Sequence, residues 1–352
     1  MAYVNSKSKI LLTIAPPFLA VLLAFVTCAF IMIIEGINPI VAYISLLQGA
    51  FGGFYEIGET MAKASPIMLT GLAATIAFKC RVWNIGGEGQ LYIGAIAATW
   101  IGLSIHIHPI VEIPLAIVVS FMAGAFYGMI PGLLKAYFRV NEIVLTLMLN
   151  YIAILFVSFL VEGPWRDPSG ITYSPPIAET AYLPILIPRT RLHLGVVLAV
   201  LCAIILHLVL RKTIFGYEVS IVGANPEAAK CKGINIPKII ILTMLISGGL
   251  AGLAGMGEVC GIQHRLMVGL SPGYGFFGII AALLGKLEPL GVVFSSILLG
   301  AIFVGADAMQ RAAGVSVTII YMLKSFILLF LIACDKIFPY ILRKVSERWT
   351  WS

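Results

Sequence analysis

The chain has 352 residues, of which 60% are hydrophobic and only 11% charged, and its mean hydropathy is +1.03. Soluble domains carry about 25% charged residues, so this composition excludes one and points to a polytopic membrane protein. The net charge of +7 is explained by loop asymmetry in such a chain, and no nucleic-acid partner is expected from it.

Lys7 and Lys9 precede an apolar run over 10–34 that is longer than a signal-peptide core and lacks a convincing cleavage site, which makes it a first membrane span. Pro16 and Pro17 fall near its start, where missing N–H groups cost least. Residues 35–63 carry Glu35, Glu56 and Glu59 among apolar stretches able to rest as interfacial helices. Further apolar runs at 64–78, 91–107, 109–134, 142–161, 193–210, 239–259, 272–285, 289–309 and 315–334 predict about ten transmembrane helices in all.

Between the second and third runs lies a polar interruption, Arg-Val-Trp-Asn-Ile-Gly-Gly-Glu-Gly-Gln at 81–90, where the chain must turn. A helix rises about 1.5 Å per residue and the hydrocarbon core is about 30 Å thick, so about 20 residues cross it. The 15 residues of 64–78 fall short. Short, Gly-interrupted apolar segments mark transport pathways, because irregular backbone at membrane depth survives only where protein or a water-filled cavity satisfies it. Asn84, Glu88 and Gln90 are therefore candidate pathway residues, set against a plain solvated cytoplasmic turn. Ser65-Pro66 and Ser271-Pro272 each place a cap and a first-turn proline at the start of a short run, which marks 64–90 and 260–286 as halves of a central pathway and adds Ser271 and Tyr274 to the candidates.

The connection 162–192 holds six prolines, which forbid a long helix there. The connection 211–238 predicts a two-turn helix over 226–232: Asn225 as N-cap, Pro226 at the first helical position, Glu227 in the first turn, and Gly233 after Lys230 and Lys232 as a stop. It is either a simple surface helix or a docking element. Counting lysines and arginines with the N-terminus inside puts sixteen of the 23 on the cytoplasmic side and six outside, with Lys324 inside the last span. Both termini are then cytoplasmic.

Several chemistries are missing. Gly285-Lys286 is followed by Leu287, so there is no Walker A loop, and no loop is long enough for a nucleotide-binding domain. Gly269-Leu270-Ser271-Pro272-Gly273 matches GxSxG, yet all five histidines precede Ser271, the reverse of the order that motif's catalytic triad requires. No catalytic residue and no metal site is expected, and the six cysteines show no ligand spacing. Asp307 and Glu258 lie near predicted outer ends, and Lys324 either snorkels or faces a partner helix, so no proton relay is apparent.

The stretches GLAATIAFKCRVWNIGGEGQLYIGA (71–95), VNEIVLTLMLNYIA (140–153), GYEVSIVGANPEAAKCKGINI (216–236), SGGLAGLAGMGEVCG (247–261) and GYGFFGIIAALLGKLEPLG (273–291) give the chain a family resemblance. It resembles the permease subunit of bacterial ABC importers for nucleosides and simple sugars, in the branch served by basic-membrane-protein-type nucleoside-binding lipoproteins. The resemblance implies an all-α, type II importer-like fold with inverted repeats and short or broken helices. It implies a single transmembrane permease domain over 1–352, with pseudo-repeats at about 64–161 and 239–334 and a cytoplasmic coupling loop at 211–238. It also implies a second, related permease, an ABC ATPase subunit that binds ATP and Mg in place of this chain, and an extracytoplasmic substrate-binding lipoprotein, all at the bacterial cytoplasmic membrane. Residues 225–233 then correspond to the coupling helix, with Asn225, Pro226, Glu227, Ala228 and Ala229 as the ATPase-facing candidates. The implied cargo is a nucleoside, purine nucleosides foremost; a pentose or other simple sugar is the alternative, and an ion-coupled secondary transporter a more distant one.

Overall fold

A computed structural model describes residues 6–349, with side chains from 15 to 334 and at 337. The side chains of Lys7, Lys9, Lys336, Arg343, Lys344 and Arg348, all assigned above to the cytoplasmic side, lie outside the described residues. The described chain forms thirteen α-helices: α1 (Ser6–Ile34), α2 (Pro39–Phe51), α3 (Phe54–Lys79), α4 (Gly87–Ser104), α5 (Pro109–Phe138), α6 (Glu142–Glu162), α7 (Leu194–Lys212), α8 (Ile214–Ala224), α9 (Pro226–Cys231), α10 (Ile236–Glu258), α11 (Tyr274–Leu284), α12 (Pro289–Ala313) and α13 (Val317–Trp349). A π-helical turn, Val259–Gln263, prolongs α10. Among the described residues there is no β-strand, only two isolated bridges.

Among the described residues, eight helices are long and apolar enough to cross a membrane: α1 from Ala15, α3, α5, α6, α7, α10 with its π turn, α12 and α13 up to Cys334. The other two expected spans are helical but different in kind. α4 starts with Glu88 and Gln90 in its first turn, and α11 has only 11 residues, a length of about 17 Å.

Two units make up the chain, one of Met1–Gly52 with Ile302–Ser352 and the other of Gly53–Ala301. In the first, α1 packs along α13. Ala20, Ala24, Cys28 and Met32 recur every fourth residue and are fully buried, while Phe18, Leu22, Val26 and Phe30 are exposed. That pattern gives one protein-facing and one lipid-facing stripe. Residues 39–51, anticipated only as a possible interfacial helix, form α2 with Asn38 as its cap. Lys324 faces a partner helix rather than snorkelling: it is 6% exposed, with Nζ 3.4 Å from the ring centroid of Phe303 on α12, a cation–π contact.

The second unit is built around α3 and α10, whose spans are 89% and 72% buried. Both are rich in small residues, and without a hydrophobic drive between helices in lipid, such residues let backbones approach closely. A Cβ on Gly128 would lie 2.9 Å from the Gly248 Cα of α10. The start of α3 corrects the sequence-based boundary of 64. It begins ten residues earlier, at Phe54, so Ser65 and Pro66 are interior residues and not its cap. The extension is polar, but two of its three charges have partners: Glu59 pairs with Arg191 at 3.6 Å, and Lys63 donates to the Tyr274 hydroxyl at 2.9 Å. The helix α8, within a stretch read as connection, is a second difference; Thr213 caps it. The segment 163–193 has only one 3₁₀ turn, Glu179–Ala181, and it is held by backbone bonds to 260–266, such as Ser174 N–H to Leu266 O at 2.9 Å.

Candidate functional site

After α3 ends at Lys79 the chain reverses through a turn with Arg81 in the left-handed region, φ 54°. Asn84 organises the rest of the turn. Its Nδ2 donates to Gln90 Oε1 at 3.0 Å and to Ser247 Oγ at 2.8 Å, while its Oδ1 accepts the Gly86 N–H at 2.9 Å and Gln90 Nε2 at 3.1 Å. Ser247 passes the chain on to the Ala73 carbonyl at 2.7 Å. Asn150 braces the far side, accepting the Gly89 N–H at 2.8 Å and donating to Ile85 O at 2.9 Å. Asn84, Glu88 and Gln90 are 3%, 3% and 2% exposed, so within this chain the 84–90 part of the turn is buried and hydrogen-bonded rather than solvated, while Arg81 and Trp83 are exposed. Buried polar groups with complete partner sets rigidify a site.

Glu88, in the first turn of α4, reaches across to α11. Its Oε2 accepts the Gly275 N–H at 2.7 Å. The approach is closer than any side chain would permit, since a Cβ on Gly275 would lie 2.6 Å from the Glu88 Cα. Helix starts carry unpaired N–H groups and a partial positive charge, so a carboxylate from one is well placed on the start of the other. Ser271 adds bonds just ahead of α11: its Oγ accepts the N–H groups of Gly273 at 3.2 Å and Tyr274 at 2.8 Å. The expected start with Ser271 as cap and Pro272 in the first turn is corrected, because the helix begins at Tyr274 with Gly273, left-handed at φ 97°, in the cap position. Tyr274 is fully buried, and its carbonyl accepts from Thr70 of α3 at 2.9 Å. All five pathway candidates thus come together where the starts of α4 and α11 meet.

Residues not singled out from the sequence complete this centre: Ser247, Asn150, Thr70, Lys63 and Tyr92, whose hydroxyl accepts the Ser271 N–H at 3.3 Å. Asn150 had a signal available, an amide in the middle of an apolar run. Ser247, set among glycines, had none. Glu258 is buried at 1% exposure, and neither carboxylate oxygen has a hydrogen-bond partner among the described residues.

The second set of candidates lies on α9. Asn225 caps it, its Oδ1 accepting the N–H groups of Glu227 at 3.0 Å and Ala228 at 3.2 Å, and Gly233 follows at φ +76°. Asn225, Pro226, Glu227 and Ala228 are exposed. Ala229 is fully buried within the chain, so it is turned away from any docking partner.

Near this element Glu288 shares its carboxylate between Lys79 at 2.9 Å and Arg211 at 3.2 Å. Partial burial raises its proton affinity, but the bonds and charges of Lys79 and Arg211 outweigh that and hold it below the ordinary carboxylate value. Ahead of α7, His193 Nδ1 accepts the Gly195 N–H at 3.1 Å and its Nε2 is buried without a hydrogen-bond partner among the described residues; burial first, and His264 second, push the imidazole down to about 4. Among the described residues no group of three or more His, Cys, Asp or Glu side chains is placed to hold a metal ion.

Residues 56–333 match the family described as branched-chain amino acid transport system / permease component. The chain is 34% identical to the guanosine ABC transporter permease protein NupP of Bacillus subtilis strain 168, over 94% of this chain and 96% of that one. It is 32% identical to the nucleoside ABC transporter permease protein NupB of Lactococcus lactis, covering 87% and 86%, and 32% identical to the glucose ABC transporter permease protein TsgB13 of Haloferax volcanii, covering 91% and 87%. No solved structure matches the chain.

Proposed function

We propose, from the premise that this chain belongs to the branched-chain amino acid transport system / permease component family, that it is the multi-pass membrane subunit of an ABC importer for nucleosides. The observation that carries this reading is its near full-length likeness to two nucleoside permeases. ATP and Mg are bound by a partner ATPase, a second related permease completes the pathway, and a substrate-binding lipoprotein delivers the cargo from outside. Both termini face the cytoplasm. Pseudo-repeats at about 64–161 and 239–334 each contribute one of the helices that start at the buried centre.

Translocation is alternating access around that centre. Asn84, Glu88, Gln90, Ser271 and Tyr274 hold the two helix starts together and position the backbone beside the cargo route, and α9 receives the movement of the ATPase. Glu88 acts on helix ends rather than on cargo charge, because a nucleoside is neutral. The likeness to a glucose permease favours one second reading, a simple sugar as cargo.

The test is reconstitution of the complex in liposomes with ATP inside and the loaded binding protein outside. Nucleosides, purine nucleosides above pyrimidine ones, are taken up and glucose and ribose are not; preferential sugar uptake overturns the cargo assignment. This chain alone gives no concentrative uptake. Uptake driven by a proton or sodium gradient without partner subunits would overturn the importer reading.

A further inference from the structure

Three helix ends distant in sequence meet at Glu288. α3 finishes at Lys79, α7 finishes with Arg211 and Lys212, and α12 starts at Pro289. The carboxylate gives one oxygen to each cation, Oε1 to Lys79 and Oε2 to Arg211. Both cations sit in the last turns of their helices and the anion sits just ahead of a helix start, so each charge also meets the dipole end that favours it. The turn presenting Glu288 is constrained as well: Lys286 and Leu287 are left-handed at φ 55° and 56°, and a Cβ on Gly285 would lie 2.6 Å from the Val292 nitrogen. The carboxylate therefore stands on a tight backbone turn and not on a free loop.

Two connections give this cluster its meaning. On one side, the final turn of α8, which leads directly into α9, lies against the end of α3: a Cβ on Gly223 would overlap the Lys79 carbonyl oxygen and come within 3.0 Å of its carbon. On the other, the turn holding Glu288 is the direct continuation of α11, whose first residues are bonded to Glu88. α11 also lies on α3 along its length, where a Cβ on Gly278 would be 2.6 Å from the Thr70 carbonyl carbon. Lys79 is thus touched from one side by the backbone of α8 and from the other by the charge of Glu288.

We propose that Glu288 is a positioning residue for transport, its carboxylate tying the far end of α11 to α3 and α7 so that displacement of α8 and α9 is passed to the helix starts at Glu88. This rests on the reading of the chain as an ATP-driven importer subunit with α9 as its ATPase contact. Neither relationship is visible in the sequence, because Lys79 and Arg211 lie 209 and 77 residues from Glu288.

The experiment uses the complete transporter in proteoliposomes with the loaded binding protein, measuring nucleoside uptake and ATP hydrolysis together. Glu288→Gln keeps the shape and removes the charge; it assembles normally, while nucleoside taken up per ATP falls about tenfold, within the range of ordinary coupling free energies. Glu288→Asp, which keeps the charge, recovers a substantial part. Arg211→Gln, at a side chain 60% exposed, removes one arm without touching packing and lowers the same ratio about fivefold, the lower end of ordinary coupling effects. It decides the matter if Glu288→Gln fails to assemble. Unchanged uptake per ATP in these variants overturns the proposal, and so does a proportional fall in uptake and hydrolysis, which marks a merely structural role. A wild-type complex whose ATP hydrolysis ignores the loaded binding protein overturns the importer reading beneath it.

Discussion

Glu88 Oε2 accepts the Gly275 N–H at 2.7 Å, joining the first turn of α4 to the first turn of α11 across 187 residues of sequence. The bond spans two helices that are not full apolar spans, and it satisfies a donor that no preceding turn can reach. Replacing Glu88 with Gln retains an acceptor oxygen and costs little. Glu88→Ala leaves a buried N–H unpaired, a loss of about 1–3 kcal/mol. Thermal unfolding in detergent separates the two: the alanine variant melts well below wild type and the glutamine variant close to it. Equal melting temperatures for all three would show that the bond holds nothing.

Burial of the 84–90 turn fixes its chemical reactivity. In a background carrying Cys231→Ser, to silence the exposed native thiol, Gln90→Cys reacts with a small hydrophilic maleimide at least about tenfold more slowly than Ala228→Cys, because labelling a buried site waits for local opening. The rate at position 90 changes with the nucleotide state of the ATPase. Fast labelling in every state would return the turn to a solvated loop.

The features legible in the sequence were those that depend on near neighbours. The start and stop of α9 follow from Asn225, Pro226 and Gly233, all within nine residues, and the structure reproduces them. Ser271 was legible as an acceptor for N–H groups at a helix start, but the start itself lies two residues beyond the expected Pro272, because Gly273 turns left-handed ahead of α11. The start of α3 was not, because Glu56, Glu59 and Lys63 look like loop residues until Arg191 and Tyr274, more than a hundred residues away, are seen to pair with two of them. Asn84 was recognisable as a polar group out of place, but its partner Ser247 sits in a glycine-rich run that offers no clue to which side chain faces the turn.

His193 sets a pH dependence on the acid side. Folding lowers its value from about 6.5 to about 4, so between those values the unfolded chain binds the proton more tightly. Its contribution is complete above pH 6.5 and is lost progressively as pH falls to about 4, a change of up to about 3 kcal/mol. His264 is the titratable group that faces it. The melting temperature of wild type therefore falls between pH 7 and pH 4.5 by more than that of His193→Gln. Parallel curves for the two proteins would remove His193 from the acid response.

The two alanines of α9 supply the sharpest contrast in the chain, because they are adjacent in sequence and opposite in placement. Ala228 is exposed, while Ala229 is fully buried against its own subunit. A bulky side chain at 228 has room, and Glu227→Lys with Ala228→Trp leaves folding, insertion and assembly intact. In the assembled transporter the same pair blocks seating of a rigid, capped helix in the ATPase, so hydrolysis no longer responds to the loaded binding protein and uptake is lost. Ala229→Trp fails differently: overpacking a buried site typically costs about 1–3 kcal/mol or more, and the isolated chain melts earlier whether or not the ATPase is present. The measurement is a pair, melting of the chain alone and binding-protein-stimulated hydrolysis of the complex. If the 227/228 variant assembles and transports at the original rate, α9 is only a surface helix, and the ATPase contact must lie at the other tight turns, near Lys135–Glu142 or Lys286–Glu288.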